Sequence, residues 1–174
     1  MSTMAGRSMT DRMRGAALLD VPTYEEVEHD TGAMGQAAGV VALVAVASGI
    51  GSIGRGSVGI LFGVVWAFVT WAIWSGVTYF IGTALFRGKA TWGEVLRTVG
   101  FAQSPGIFLV LGIIPFVGRL VRLVVAIWML VTVIVALRQA LDVTTGKAVL
   151  TALIGWIVIM IPMWIAAGVG MALR

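Results

Sequence analysis

Long stretches without a charged residue dictate what this chain can fold into. Five charge-free gaps stand out, at 31–54, 56–86, 98–118, 123–137 and 148–173, with 24, 31, 21, 15 and 26 residues. A helix needs roughly 20 mainly apolar residues to cross about 30 Å of hydrocarbon. Lipid offers no partner to a free N–H or C=O, so such stretches must bond internally as helices. The composition agrees: 59% of residues are hydrophobic and 11% charged, against about 25% charged in a soluble domain. The expectation is an all-α, polytopic transmembrane helix bundle with five spans, at about 34–54, 58–85, 98–117, 119–138 and 148–172.

Two of these spans are irregular. The fourth gap is short, but Arg119 and Arg122 can snorkel from its start to the interface and complete a crossing. The third holds Pro105 and Pro115 with four glycines. Each proline removes a donor and clashes one turn back, so a kinked or broken span is expected, with a re-entrant hairpin as the alternative.

Residues 1–19 read as a flexible tail with no apolar run resembling a signal peptide. The membrane domain then covers 20–174. Its first element is a short acidic amphipathic helix at 23–31, with Thr23 and Glu26 spaced as a capping box. Lysine and arginine placement sets the orientation. Arg7, Arg12, Arg14, Arg87, Lys89, Arg97, Arg138 and Lys147 fall on one side, and Arg55, Arg119, Arg122 and Arg174 on the other. The richer side faces the cytoplasm, which gives a cytoplasmic N-terminus and an outside C-terminus.

The chain excludes much chemistry. It has no cysteine and one histidine, His29, so thiolate and multi-histidine metal sites are out of reach. Glu26-x-x-His29 has di-iron spacing, but such centres need two of these motifs. No acid, lysine or histidine interrupts a span, which removes the groups that proton-coupled carriers place at depth. There is no phosphate loop, no acid–base pair in an apolar pocket, and no dense basic block for nucleic acid. The expectation is a protein that is not an enzyme, without cofactor, metal or catalytic residues.

Four features remain as candidate sites. Glu25, Glu26, Glu28 and Asp30 crowd one short helix beside an anionic membrane surface; they are a solvated face, a docking surface for a basic partner, or the counterpart of the basic loop Arg87-Gly88-Lys89. Gln103, Ser104, Pro105 and Gly106 mark a kink or a small polar cavity. Arg119 and Arg122, three apart on one face, snorkel to headgroups or grip a lipid phosphate. Gly59-x-x-x-Gly63 and Ala166-x-x-x-Gly170 allow close helix packing, within one chain or between two. Trp66, Trp71 and Trp74 read as bundle packing plus an interfacial anchor.

Several of these segments occur in a familiar order. Tyr24-Glu25-Glu26-Val27-Glu28-His29-Asp30 precedes a small-residue span, and Gly100-Phe101-Ala102-Gln103-Ser104-Pro105 opens the middle one. Trp128 lies in the fourth, and Ala136-Leu137-Arg138-Gln139-Ala140-Leu141-Asp142 with Lys147-Ala148 precedes the last. Over residues 20–173 the chain resembles the Yip1 family in its short bacterial form. The resemblance implies a five-span helical domain with a cytosolic N-terminus, here in a bacterial inner membrane. Eukaryotic members act in trafficking and bind prenylated Rab GTPases; this chain lacks their long N-terminal region. The expected role is membrane organisation through lipids, other membrane proteins or a second copy. An accessory subunit of a larger complex is the alternative. A small passive channel lined by Thr98, Gln103, Ser104 and Thr132 is the third reading.

Overall fold

The computed structural model describes residues 7–53 and 59–172, with side chains as far as Ile161. Seven α-helices follow in order: α1 Met9–Ala17, α2 Val21–His29, α3 Met34–Gly51, α4 Ile60–Phe86, α5 Trp92–Ala102, α6 Val117–Ala140 and α7 Thr145–Ala172. A 3-10 segment, Ser104–Ile113, joins α5 to α6. Among the described residues, four stretches are long and apolar enough to cross a membrane, Thr31–Gly51, Ile60–Phe86, Trp92–Ile113 and Val117–Ala140, with a shorter apolar stretch at Thr145–Ile161. The all-α polytopic bundle expected from the sequence is therefore present.

Small side chains set the packing. The core holds Ala37, Val40, Val41, Val99, Ala102, Ala136 and Ala140, with Tyr24, Trp71, Phe101, Leu137 and Leu141 among its larger members. Large apolar side chains point outward instead, among them Leu61, Phe62, Trp66, Phe80, Leu120, Leu123, Ile127 and Trp156. That inversion suits lipid, where helices gain by close backbone approach and not by hiding apolar surface. Trp71 is buried and donates to Leu96 O at 3.0 Å, whereas Trp66 is exposed and stacks on Phe62.

The third span is broken, and its bonding shows why the break is tolerated. Proline at 105 has no N–H to give Phe101 O, so Ser104 Oγ donates to that carbonyl instead, at 2.5 Å. Gly106 N–H turns to Gln103 O at 2.7 Å. The carbonyl of Ala102 accepts instead from Thr132 Oγ1 on α6, at 2.6 Å. Both freed carbonyls thus find hydroxyls, as irregular backbone at membrane depth requires. Thr132→Val would orphan the Ala102 carbonyl, which carries a penalty of about 1–3 kcal/mol. Thr132→Ser should cost far less, and thermal unfolding of the two variants in detergent compares them.

Three expectations need correction. Residues 9–17 are not part of a flexible tail: they form α1, capped by Ser8 Oγ accepting from Asp11 N–H at 3.2 Å. The acidic helix begins at Val21 and not at Thr23, because Asp20 is its N-cap and its carboxylate accepts from both Thr23 N–H and Thr23 Oγ1. Pro22 fits that first turn, where its missing donor has no helical partner anyway. The third span starts at Trp92 and not near 98, behind a capping box of Thr91 and Glu94.

Helices α1 and α2 form a hairpin. Asp20 N–H returns to Gly15 O and Leu19 N–H to Ala16 O, at 2.9 and 3.1 Å. That pair of bonds is a Schellman turn, with Leu19 at φ 63° in the left-handed position. The arms cross where a Cβ on Gly15 would lie 2.2 Å from Thr23 Oγ1, so only glycine fits there.

Candidate functional site

The hairpin is tied to the bundle by two arginines. Arg12 is 2% exposed. Its Nε and Nη2 donate to Glu26 Oε1 at 3.2 and 2.8 Å, Nη2 also to Asp30 Oδ2 at 2.5 Å, and Nη1 to Gln36 Oε1 at 2.9 Å. Burial disfavours the cation, but the hydrogen bonds to Glu26 and Asp30 outweigh it and the net shift of its pKa is upward. The same contact with Arg12 pulls the Asp30 pKa down. One side chain thus joins α1, α2 and the start of α3.

Arg97, 6% exposed on α5, binds the same C-terminal end of α2 through its backbone. Its Nε donates to Val27 O at 3.0 Å and its Nη2 to Glu28 O. These carbonyls lie in the last turn of α2, where no intrahelical donor remains and the helix dipole is negative. The sequence marks Arg97 only as a cation at a span end; in the fold it is a helix cap. Two further bonds close the hairpin on α6. Tyr24 Oη donates to Ala16 O and Thr132 O, and Trp128 Nε1 donates to Ala17 O at 2.7 Å.

The four acids therefore have different fates. Glu26 and Asp30 are held by Arg12, with Arg7 Nη1 also 3.3 Å from Glu26. Among the described residues, the ion pairs of this helix are made by Arg7 and Arg12, and none by the Arg87–Lys89 loop. Glu25 is exposed and accepts from Gln139 Nε2 at 3.2 Å. Glu28 is 8% exposed, and burial pushes its pKa up to about 7, with Asp142, Glu94 and Glu25 adding to the rise and His29 opposing it. The His29 ring is on the surface with Nδ1 2.7 Å from Glu25 O, a bond that raises its pKa.

The sign of the pH effect follows. A carboxyl whose pKa rises on folding favours the native state below its unfolded value, near 4.5, and that contribution is lost as pH climbs through about 7. His29, raised too, acts in the same direction. Stability should fall on the order of 2 kcal/mol between pH 5.5 and 8 on account of Glu28. Glu28→Gln should flatten that slope in a pH series of melting curves; an equal slope in the variant would refute the assignment.

The residues suggested for a polar path do not share one cavity. Gln103 lines a cleft of about 370 Å³ between α3 and α4, with Ser48, Ser52 and Thr70. Ser104 lines a different pocket, beside Met13, Phe108 and Trp128. The hydroxyls of Thr98 and Thr132 donate to backbone carbonyls, Thr98 within its own helix and Thr132 across to Ala102. Pro105 and Gly106 are buried, and a Cβ on Gly106 would lie 2.5 Å from Val44 Cγ1.

A Cβ on Gly59 or Gly63 would meet nothing within 4 Å among the described residues, so no described helix packs tightly on this pair. Close approach is made instead at Gly51, Gly100, Gly106 and Gly118. The surroundings of Ala166 and Gly170 lie outside the described side chains.

Arg119 and Arg122 do come together, at the end of the bundle opposite the hairpin. They line a cavity of about 530 Å³ with Ile53, Gly112, Gly118 and residues 113–116.

The Yip1 domain model matches residues 22–167 of this chain. The chain belongs to the Yip1 family. No curated protein and no solved structure matches it. The matched region starts inside α2. Helix α1 therefore precedes the matched Yip1 region, yet its Arg12 is anchored on Glu26, Asp30 and Gln36 within that region.

Proposed function

We propose that this Yip1-family membrane protein is not an enzyme and works by organising its membrane, through contacts with lipids and other membrane proteins. One observation carries the reading: most of the buried polar side chains are spent on holding the fold. Arg12 and Arg97 clasp the hairpin, and Thr78, Thr98, Ser104, Thr132 and Thr151 donate to backbone carbonyls. What remains outward is a broad apolar face on α4, α6 and α7 and a charged rim around the hairpin. Such a body recognises; it is not built for proton or group transfer.

The proposed setting is a bacterial inner membrane, crossed five times. The hairpin and the turns at 87–91 and 141–144 face the cytoplasm, and the arginine cavity and the C-terminus face outward, in line with the cation distribution. Purification in a gentle detergent, followed by mass spectrometry of co-purifying proteins and lipids, tests the reading. A stoichiometric protein or lipid is the expected result. A bare monomer that turns over a substrate would overturn it.

A further inference from the structure

The cavity at the arginine end has the composition of an anion site. Arg119 and Arg122 line it, and no carboxylate is present among its described lining residues. Arg122 Nη1 is sealed from solvent and has no hydrogen-bond partner. A guanidinium nitrogen left buried and unpaired is costly, and the cost is relieved by an anion that accepts from it. The backbone adds to the same field. Helix α6 begins here at Val117 with no side-chain cap on its N-terminus, so the positive end of a 24-residue helix opens beside the two arginines. Gly118 is required where it stands, because a Cβ there would meet Gly112 O at 2.4 Å. Phe116, fully exposed at the lip with φ 65°, projects an aromatic ring beside the cavity.

Depth narrows the ligand. Helix α6 is about 36 Å long at 1.5 Å per residue, some 6 Å more than the hydrocarbon thickness. Its first two turns carry both arginines, and their long stems reach from there to the headgroup layer. Arginine's planar fork matches phosphate oxygens in pairs, and lysine's point charge does not.

We infer that Arg119 and Arg122 form a binding site for a phosphate group, supplied by the headgroup of an anionic glycerophospholipid. The site rests on the reading of the chain as a membrane protein that contacts lipid, and it gives that reading a ligand class.

The test uses the full chain in neutral detergent. Wild type, Arg122→Gln, Arg122→Lys and Gly63→Ala are mixed with phosphatidylcholine micelles containing or lacking phosphatidylglycerol, and separately with inorganic phosphate. Bound lipid is counted by native mass spectrometry, and melting temperature is followed in parallel. Wild type and Gly63→Ala should retain phosphatidylglycerol over phosphatidylcholine by at least tenfold. Arg122→Gln should lose the preference, and Arg122→Lys should keep only part of it. The lysine variant guards against misfolding as the cause of the loss. Stabilisation by inorganic phosphate alone, abolished in Arg122→Gln, would support the phosphate site and assign it to a soluble ligand. Equal lipid retention by wild type and Arg122→Gln, with no response to either probe, would overturn the inference. Co-purifying proteins are unaffected by that outcome, so the proposed organising role stands or falls separately.

Discussion

Arg12→Leu is expected to destabilise the protein by about 3 kcal/mol, the lower end of the cost of removing one partner from a buried ion pair. Three carboxylate and amide partners converge on this side chain, and all sit on other elements: Glu26, Asp30 and Gln36. Loss of the guanidinium leaves Glu26 and Asp30 facing each other across one helical turn. They are 30% and 38% exposed, so water partly compensates, which keeps the figure from the upper end. The effect should be local at first. Trp128 donates to Ala17 O on α1, so its fluorescence reports release of α1 before the spans unfold. Adding Glu26→Gln and Asp30→Asn should recover part of the loss by removing the orphaned charges. A change below about 0.5 kcal/mol, the usual scatter of surface substitutions, would show that α1 is not fastened in this way.

Gly51→Ala and Gly118→Ala should be at least as damaging. A Cβ on Gly51 would lie 1.9 Å from Leu109 O, and one on Gly118 2.4 Å from Gly112 O. Both obstacles are backbone, which cannot rotate away as a side chain does. The 3-10 segment would have to leave α3 or α6. Overpacking of this kind costs about 1–3 kcal/mol where side chains can move, and more is expected here. Gly63→Ala is the control: with nothing within 4 Å of its Cβ, it should be neutral or stabilising by up to about 1 kcal/mol through helix propensity. Unfolding curves in a common detergent rank the three. Equal stability of Gly118→Ala and Gly63→Ala would contradict the packing described.

The contrast between these glycines shows what a sequence can and cannot convey. The spans were legible because lipid imposes one requirement, apolarity sustained over a helix length, and the charge-free gaps state it directly. The broken third span was legible for a similar reason, since Pro105 alone removes a bond. Which glycine touches another helix is a long-range matter. The Gly59–Gly63 spacing says that the two share a face, but not that any helix lies against it. Helix α1 was missed because its apolar stripe in MTDRMRGAA is only Met9, Met13 and Ala16, set among charged residues. Its stability comes from an arginine paired 14 to 24 residues away. A local signal did exist in Ser8 and Asp11, which form the cap. Arg97 was read for its charge alone, and its role as the cap of α2 depends on a contact 70 residues distant. Arg119 and Arg122 line one cavity because residues three apart on one helix are neighbours in any fold.

The hairpin and two short turns are proposed to form one cytoplasmic end, with the arginine cavity at the other. The chain has no cysteine, so single cysteines can be placed without background. Thr10→Cys, Thr91→Cys and Thr144→Cys mark the hairpin end, and Ile53→Cys and Phe116→Cys the opposite one. Each is treated with a membrane-impermeant maleimide, first on intact spheroplasts and then on inverted vesicles. Positions 10, 91 and 144 should label only in inverted vesicles, and 53 and 116 only in spheroplasts. Labelling of position 10 on the opposite side from 91 and 144, or of 53 on the opposite side from 116, would contradict the account.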